Sequence, residues 1–177
     1  MKQYLEKIKN EEIRKMLELA IDNIPPYFYE IPSSSTGKYH PSFALGKGGL
    51  YRHVCMAVEI ALSSFIVMEN FHDLDKDIVI TSLLLHDGLK QGLNGSGHTN
   101  KTHPIDMAKF LTELWKDFDN GYKYIICDCI SSHMGQWNEK GTLPSPKTKL
   151  QRFVHYCDYI SSRKNIFDKY NNLIKGE

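Results

Sequence analysis

The sequence predicts an all-α fold, a bundle of about six helices. Three observations carry that expectation. Apolar residues return at steps of three and four along most of the chain, capping residues and prolines fall where those stretches end, and no strand-like alternation, internal repeat or heptad run competes.

The first stripe is Leu5, Ile8, Ile13, Met16, Leu17, Ala20 and Ile21, on a helix that must end before Pro25-Pro26 because proline cannot continue it. From 23 to 49 the chain is irregular, with prolines at 25, 26, 32 and 41, a Ser33-Ser34-Ser35 run and Gly46-Lys47-Gly48-Gly49. Loops of that length are usually functional or disordered. Helical periodicity resumes from 50 to 70, with His53, Ala57, Ile60 and Ala61 near one face. Asp73-Leu74-Asp75 supplies an N-cap for a third helix that runs to His86. Residues 88 to 101 are glycine-rich and polar, and Pro104 suits the first turn of a fourth helix reaching about Phe118. A fifth helix is expected from Gly121 to Met134. A sixth follows from Lys149 to Tyr170, with Leu150, Phe153, Val154, Cys157 and Ile160 as its stripe.

The 177 residues suit one domain, read as an amino-terminal helix and loop (1–48) and a helical core (49–170) that holds a metal site. Against 21 acidic residues stand 22 Lys and Arg, so no global basic field exists to hold a long nucleic acid. Met1-Lys2-Gln3-Tyr4-Leu5-Glu6-Lys7 lacks the apolar core of a signal peptide, and no apolar run approaches the roughly 20 residues of a membrane span. A soluble, cytoplasmic protein without membrane partners is the expectation. Cys55, Cys127, Cys129 and Cys157 all lie in apolar helical patterns, as reduced core thiols would.

Chemistry concentrates at His86-Asp87, which ends the apolar run 78–85. Adjacent residues diverge by about 100° on a helix, so both can face one ion only where the helix ends, and Gly88 permits that. Imidazole with carboxylate suits borderline divalent metals such as Mn, Fe, Zn, Ni or Co, with Mg also a candidate. His53 and Asp158 would then arrive from other helices.

In chain order, His53, His86-Asp87, His103, His133 and Asp158 resemble the HD superfamily of metal-dependent phosphohydrolases, over about 48–164. Gly48-Gly49-Leu50-Tyr51-Arg52-His53 is similar to that family's "GGLxxH" string, and His86-Asp87-Gly88-Leu89-Lys90 to its "HDxxK". His103-Pro104 resembles its helix-starting His, Ser131-Ser132-His133-Met134-Gly135 its "SHHG" turn, and His155-Tyr156-Cys157-Asp158-Tyr159-Ile160 its closing "HxADxxD" helix. From 135 to 164 the strings are closest to the HD domain of bacterial 3′–5′ exoribonucleases. Two departures stand out. Met134 takes the place of the second His of a His-His pair, and Ser161 or Ser162 that of the second Asp of the closing motif.

The resemblance implies hydrolysis of a phosphoester or phosphoanhydride by metal-activated water. His53, His86, Asp87 and Asp158 would hold an ion, and His103 and His133 a second, with Asp87 bridging. Alternatively, His103 and His133 face the phosphate, and His98 competes with His103 as the ligand. Asp87, Lys90, His103 and His133 are the expected catalytic residues, with Lys90 beside the phosphate. His40, His72 and His155 are read as structural or surface residues, and Arg52 as either inward or outward. Lys38 and Lys47 flank a candidate anion nest, and Tyr27-Phe28-Tyr29 and Trp137 are candidates to stack on a base. Neutral net charge and these aromatics fit a nucleotide or other small phosphorylated substrate, whereas the closing strings point to 3′-end cleavage of short single strands. A di-iron oxygenase and a non-catalytic metal-binding sensor are the alternatives of other classes. Oligomeric state is open.

Overall fold

The computed structural model describes residues 1–34, 36–137 and 141–168. Six α-helices of ten or more residues lie among them: α1 (Glu11–Asn23), α2 (Gly49–Phe65), α3 (Asp73–Leu85), α4 (His103–Leu114), α5 (Tyr122–Ser131) and α6 (Lys149–Ser161). The described residues contain no strand, and the architecture is the expected all-α bundle. No helix among them is long and apolar enough to cross a membrane.

The third helix is the axis of the bundle. It packs on α1, α2, α5 and α6, and every residue from Asp77 to Leu85 is buried. That explains an apolar run with no polar face: a helix covered on all sides has no stripe to show. Helices α4 and α5 form an antiparallel pair against one flank, and α2 and α6 close the other. Fully buried Leu, Ile and Val side chains each contribute about 1.5–3 kcal/mol, and the core holds Ile13, Leu17, Leu50, Leu83, Leu84 and Leu85 in that state.

The first expected helix is two pieces, a 3-10 turn (Lys2–Lys7) and α1. The cause is Asp77, buried on α3, whose carboxylate accepts the backbone N–H of Lys9 (3.1 Å to either oxygen) and of Asn10 (2.7 Å). Those N–H groups cannot serve a continuous helix, and Asn10 restarts it by accepting the N–H of Ile13 at 3.1 Å. Helix α2 stops at Phe65 rather than 70, and α6 at Ser161. A short helical stretch, 164–168, follows α6, and the expected end at Tyr170 falls outside the described residues. The N-cap position of α3 is His72, and Asp75 accepts its N–H at 3.2 Å. The four cysteines are free thiols.

One glycine is required by close approach. A Cβ on Gly49 would collide with the backbone of Ala44, and its absence lets the start of α2 lie on the preceding loop. Gly88 does not adopt a positive φ, contrary to the expected unwinding device, and a Cβ there would meet the flexible end of Met107 at 2.9 Å.

Candidate metal centre

Helix ends aim the site residues at one point. His53 sits inside α2, and His86 is the C-cap of α3, with Asp87 in the turn beyond it. His103 opens α4, His133 lies just past α5, and Asp158 is on α6. The structure therefore brings all six expected ligands together.

Asp87 is the hub. Its Oδ2 lies 3.6 Å from His86 Nε2 and 3.9 Å from His53 Nε2. Its Oδ1 lies 2.9 Å from His103 Nε2 and 3.8 Å from His133 Nε2. Asp158 Oδ1 stands 3.0 Å from His53 Nε2 and 3.4 Å from His86 Nε2. Two sets of donor atoms each fall within 4.8 Å of one another: His53, His86 and Asp158, and His86, Asp87 and His133. One carboxylate thus faces two neighbouring positions.

Every candidate ligand histidine is held through its Nδ1. Nδ1 of His86, His103 and His133 lies 2.7 Å from the carbonyl of Leu83, Asn100 and Ile130 respectively. A carbonyl only accepts, so each Nδ1 carries a proton and Nε2 is the nitrogen turned to the centre. Nδ1 of His53 instead meets Ser161 Oγ at 3.0 Å, whose hydroxyl donates to the Asp158 carbonyl at 2.8 Å. Such partners fix ring orientation at metal sites. His86 Nε2 and Asp87 Oδ1 are buried with no hydrogen-bond partner, which in a folded core is costly unless something else satisfies them. A divalent cation would satisfy both atoms, and the N/O donor set suits one.

The electrostatics agree. Burial opposes the charge on Asp87, yet Lys90, His86 and His103 outweigh it and hold the carboxyl well below the usual range. Asp158 is likewise held ionised against burial by His86 and His53. Burial also opposes protonation of His86, but the two carboxylates raise its pKa, the mark of a site that draws positive charge. His133 goes the other way: burial, then repulsion from His86, pushes it down to about 3. It stays neutral, which suits a ligand and not a proton donor.

Lys90 stands one turn after Asp87, its Nζ 2.5 Å from Asp87 Oδ2, at the edge of a cavity of about 290 Å³. His53, Asp87, His103, His133 and Asp158 line the same cavity. So does His40, read from sequence as structural: its ring is 5.5 Å from that of His53, and its Nδ1 is buried without a partner. Burial, with His53 and Lys90 nearby, pushes His40 down to about 3. No periodic signal marks a residue on an irregular loop. His155 also lines the cavity and holds the His133 carbonyl through Nδ1 at 2.7 Å.

Other expectations fail on geometry. His98 is exposed, its polar contacts are those of its backbone, and His103 takes the site position. Phe28 is buried core, Tyr29 packs on Phe28 and Tyr51, the Tyr27 hydroxyl bonds Gly92 and Gln91, and none of the three lines the cavity. The N–H groups of Gly48 and Gly49 are taken by the carbonyls of Glu30 and Gly46, each at 3.0 Å, and Lys47 pairs with Glu30 at 2.7 Å, so no anion nest is built there. Arg52 points outward from the centre and staples the loop through the carbonyls of Phe43 and Leu45.

Comparison with known proteins matches residues 50–163 to the family described as HD domain. Curated relatives include the 3'-5' exoribonuclease YhaM of Bacillus subtilis, 25% identical over 98% of this chain and 55% of its own length. The protein of the same name from Shouchella clausii is 28% identical over 94% of this chain and 53% of its own. The chain spans about half the length of the curated relatives it matches. No solved structure matches it.

Proposed function

The chain belongs to the HD domain family, and from that premise we propose that it is a metal-dependent phosphohydrolase acting on a nucleotide or related small phosphorylated molecule. The observation that carries this reading is the pair of orphaned buried atoms, His86 Nε2 and Asp87 Oδ1, among ring nitrogens already oriented by Nδ1 partners.

His53, His86, Asp87 and Asp158 would hold one ion, and Asp87, His103 and His133 a second, in residues 49–170. Mn, Fe, Zn, Ni and Co suit the donors, with Mg less so. Such an ion, when bound, lowers the pKa of a water it holds and offsets charge on phosphoryl oxygens.

The chain's own groups supply the rest. Lys90 places an ammonium at the cavity edge, where it can hold a non-bridging phosphoryl oxygen. His133, held neutral, serves as a ligand, and where a single ion is held His103 is instead the imidazole that faces the leaving oxygen.

A second reading, removal of nucleotides from the 3′ end of short single strands, is favoured by the names of the relatives at 25% and 28% identity. One mass-spectrometric assay with Mn²⁺ separates the two. Nucleoside mono- and triphosphates, cyclic nucleotides and short oligonucleotides are offered together. Loss of a mononucleotide supports the first reading, shortening from the 3′ end supports the second, and no turnover of any component refutes both.

A further inference from the structure

The cavity that reaches Asp87, Lys90 and Asp158 is also lined by Tyr39, Trp137, Tyr159 and Arg163. These come from the loop before α2, the turn after α5 and the end of α6. The rings of Trp137 and Tyr159 lie nearly parallel, 11° apart with centroids at 6.5 Å. The Arg163 guanidinium carbon is 4.6 Å from the Tyr159 centroid, 5.4 Å from Trp137 and 5.8 Å from Tyr39.

Nothing in the core needs this cluster. Trp137 is 51% exposed and Tyr39 55%, in contrast to Trp115, which is fully buried and donates its indole N–H to Met16. Arg163 is oriented by two bonds to Ser162 Oγ, at 3.1 and 2.8 Å, and no carboxylate among the described residues pairs with it. An exposed apolar ring held in place by a stacked cation, in the wall of a cavity that ends at an ammonium and a cation site, is shaped for a flat ligand with an anionic end. A nucleobase joined to a phosphate has that form.

We infer that Trp137, Tyr39 and Arg163 form a nucleobase subsite, so that the unit taken is a nucleoside phosphate with its base stacked on Trp137 and its phosphate toward Lys90. The inference rests on the phosphohydrolase reading for what happens at the phosphate, but not for binding. Base–aromatic stacking is worth about tenfold to a hundredfold in affinity. Because every base has a π face, the subsite discriminates base from no base more than one base from another.

The test is fluorescence titration of the protein in chelator, excited at the tryptophan edge, with AMP and UMP against ribose 5-phosphate. The mononucleotides are expected to quench Trp137 and to bind about tenfold to a hundredfold tighter than ribose 5-phosphate. Trp137→Leu, an exposed change that spares the core, should lose most of the quench and most of that difference. Arg163→Gln should lose part of each. Equal affinity for UMP and ribose 5-phosphate, or wild-type binding of AMP by Trp137→Leu, overturns the subsite. Since no turnover is measured, that result would leave the phosphohydrolase reading untouched, and failure of turnover would leave this one untouched. A short oligonucleotide binding much tighter than AMP assigns the unit to a strand end, and similar binding assigns it to a free nucleotide. Either outcome supports the base subsite.

Discussion

Ser161→Ala tests whether the cluster is organised to hold a metal. Ser161 is fully buried, and its hydroxyl proton is committed to the Asp158 carbonyl at 2.8 Å, so its lone pair faces His53 Nδ1 at 3.0 Å. Alanine removes that acceptor and leaves a buried imidazole N–H unsatisfied whenever Nε2 is used as a ligand. Such a loss costs about 1–3 kcal/mol, and loss of an orienting partner lowers metal affinity by about tenfold to a hundredfold. The two figures agree. The assay is competition for Zn²⁺ or Mn²⁺ against a chromogenic chelator, with a thermal melt of the metal-free variant to show that it folds. Ser161→Cys, nearly isosteric but a weak acceptor, should fall between. Wild-type affinity in a folded Ser161→Ala protein would refute the idea that His53 is a ligand set by this relay.

Three further outcomes follow from the same geometry. Asp77→Ala removes the acceptor of three short contacts to Lys9 and Asn10 and should cost about 3 kcal/mol in urea unfolding, with circular dichroism unchanged in the folded baseline. An unchanged midpoint would mean that the break before α1 is set elsewhere. Lys90→Met keeps the apolar stem and removes the ammonium. Inorganic phosphate should then inhibit at least about tenfold more weakly, while metal affinity holds or rises. For Asp75, burial opposes ionisation, but Lys149 and the His72 N–H outweigh it and hold the pKa below the ordinary carboxylate range. A folded-state pKa below the unfolded one gives stability that is present above about pH 4 and lost as pH falls through the folded value. Melts from pH 3 to 6 should show that loss, and Asp75→Asn should reduce it, the remainder belonging to Asp87 and Asp158.

Much of this was legible because the signals are local. A continuous apolar run ending in His86-Asp87 is a buried helix whose end faces the centre. The six candidate ligands were readable as an ordered set, though not one by one. What escaped depends on tertiary partners. The break before α1 is made by Asp77, a residue 67 positions from Asn10. Ser161 looked only like a missing Asp, and its use appears when its contact with His53 is seen across 108 positions. His40 sits on a loop with no period to read. Conversely, Tyr27-Phe28-Tyr29 looked free because sequence does not show that Phe28 is fully buried. Gly88 suggested conformational freedom that its backbone, without a positive φ, does not use.

The most direct test is metal reconstitution with and without the hub carboxylate. The protein is stripped with chelator, restored in turn with Mn²⁺, Fe²⁺, Zn²⁺, Ni²⁺, Co²⁺ and Mg²⁺, and assayed for hydrolysis of nucleoside phosphates alongside Asp87→Ala. Activity should be lost on stripping, restored by at least one transition metal, and absent from the variant together with its metal. Turnover that survives the chelator, or full activity in Asp87→Ala, would overturn metal-dependent hydrolysis at this centre.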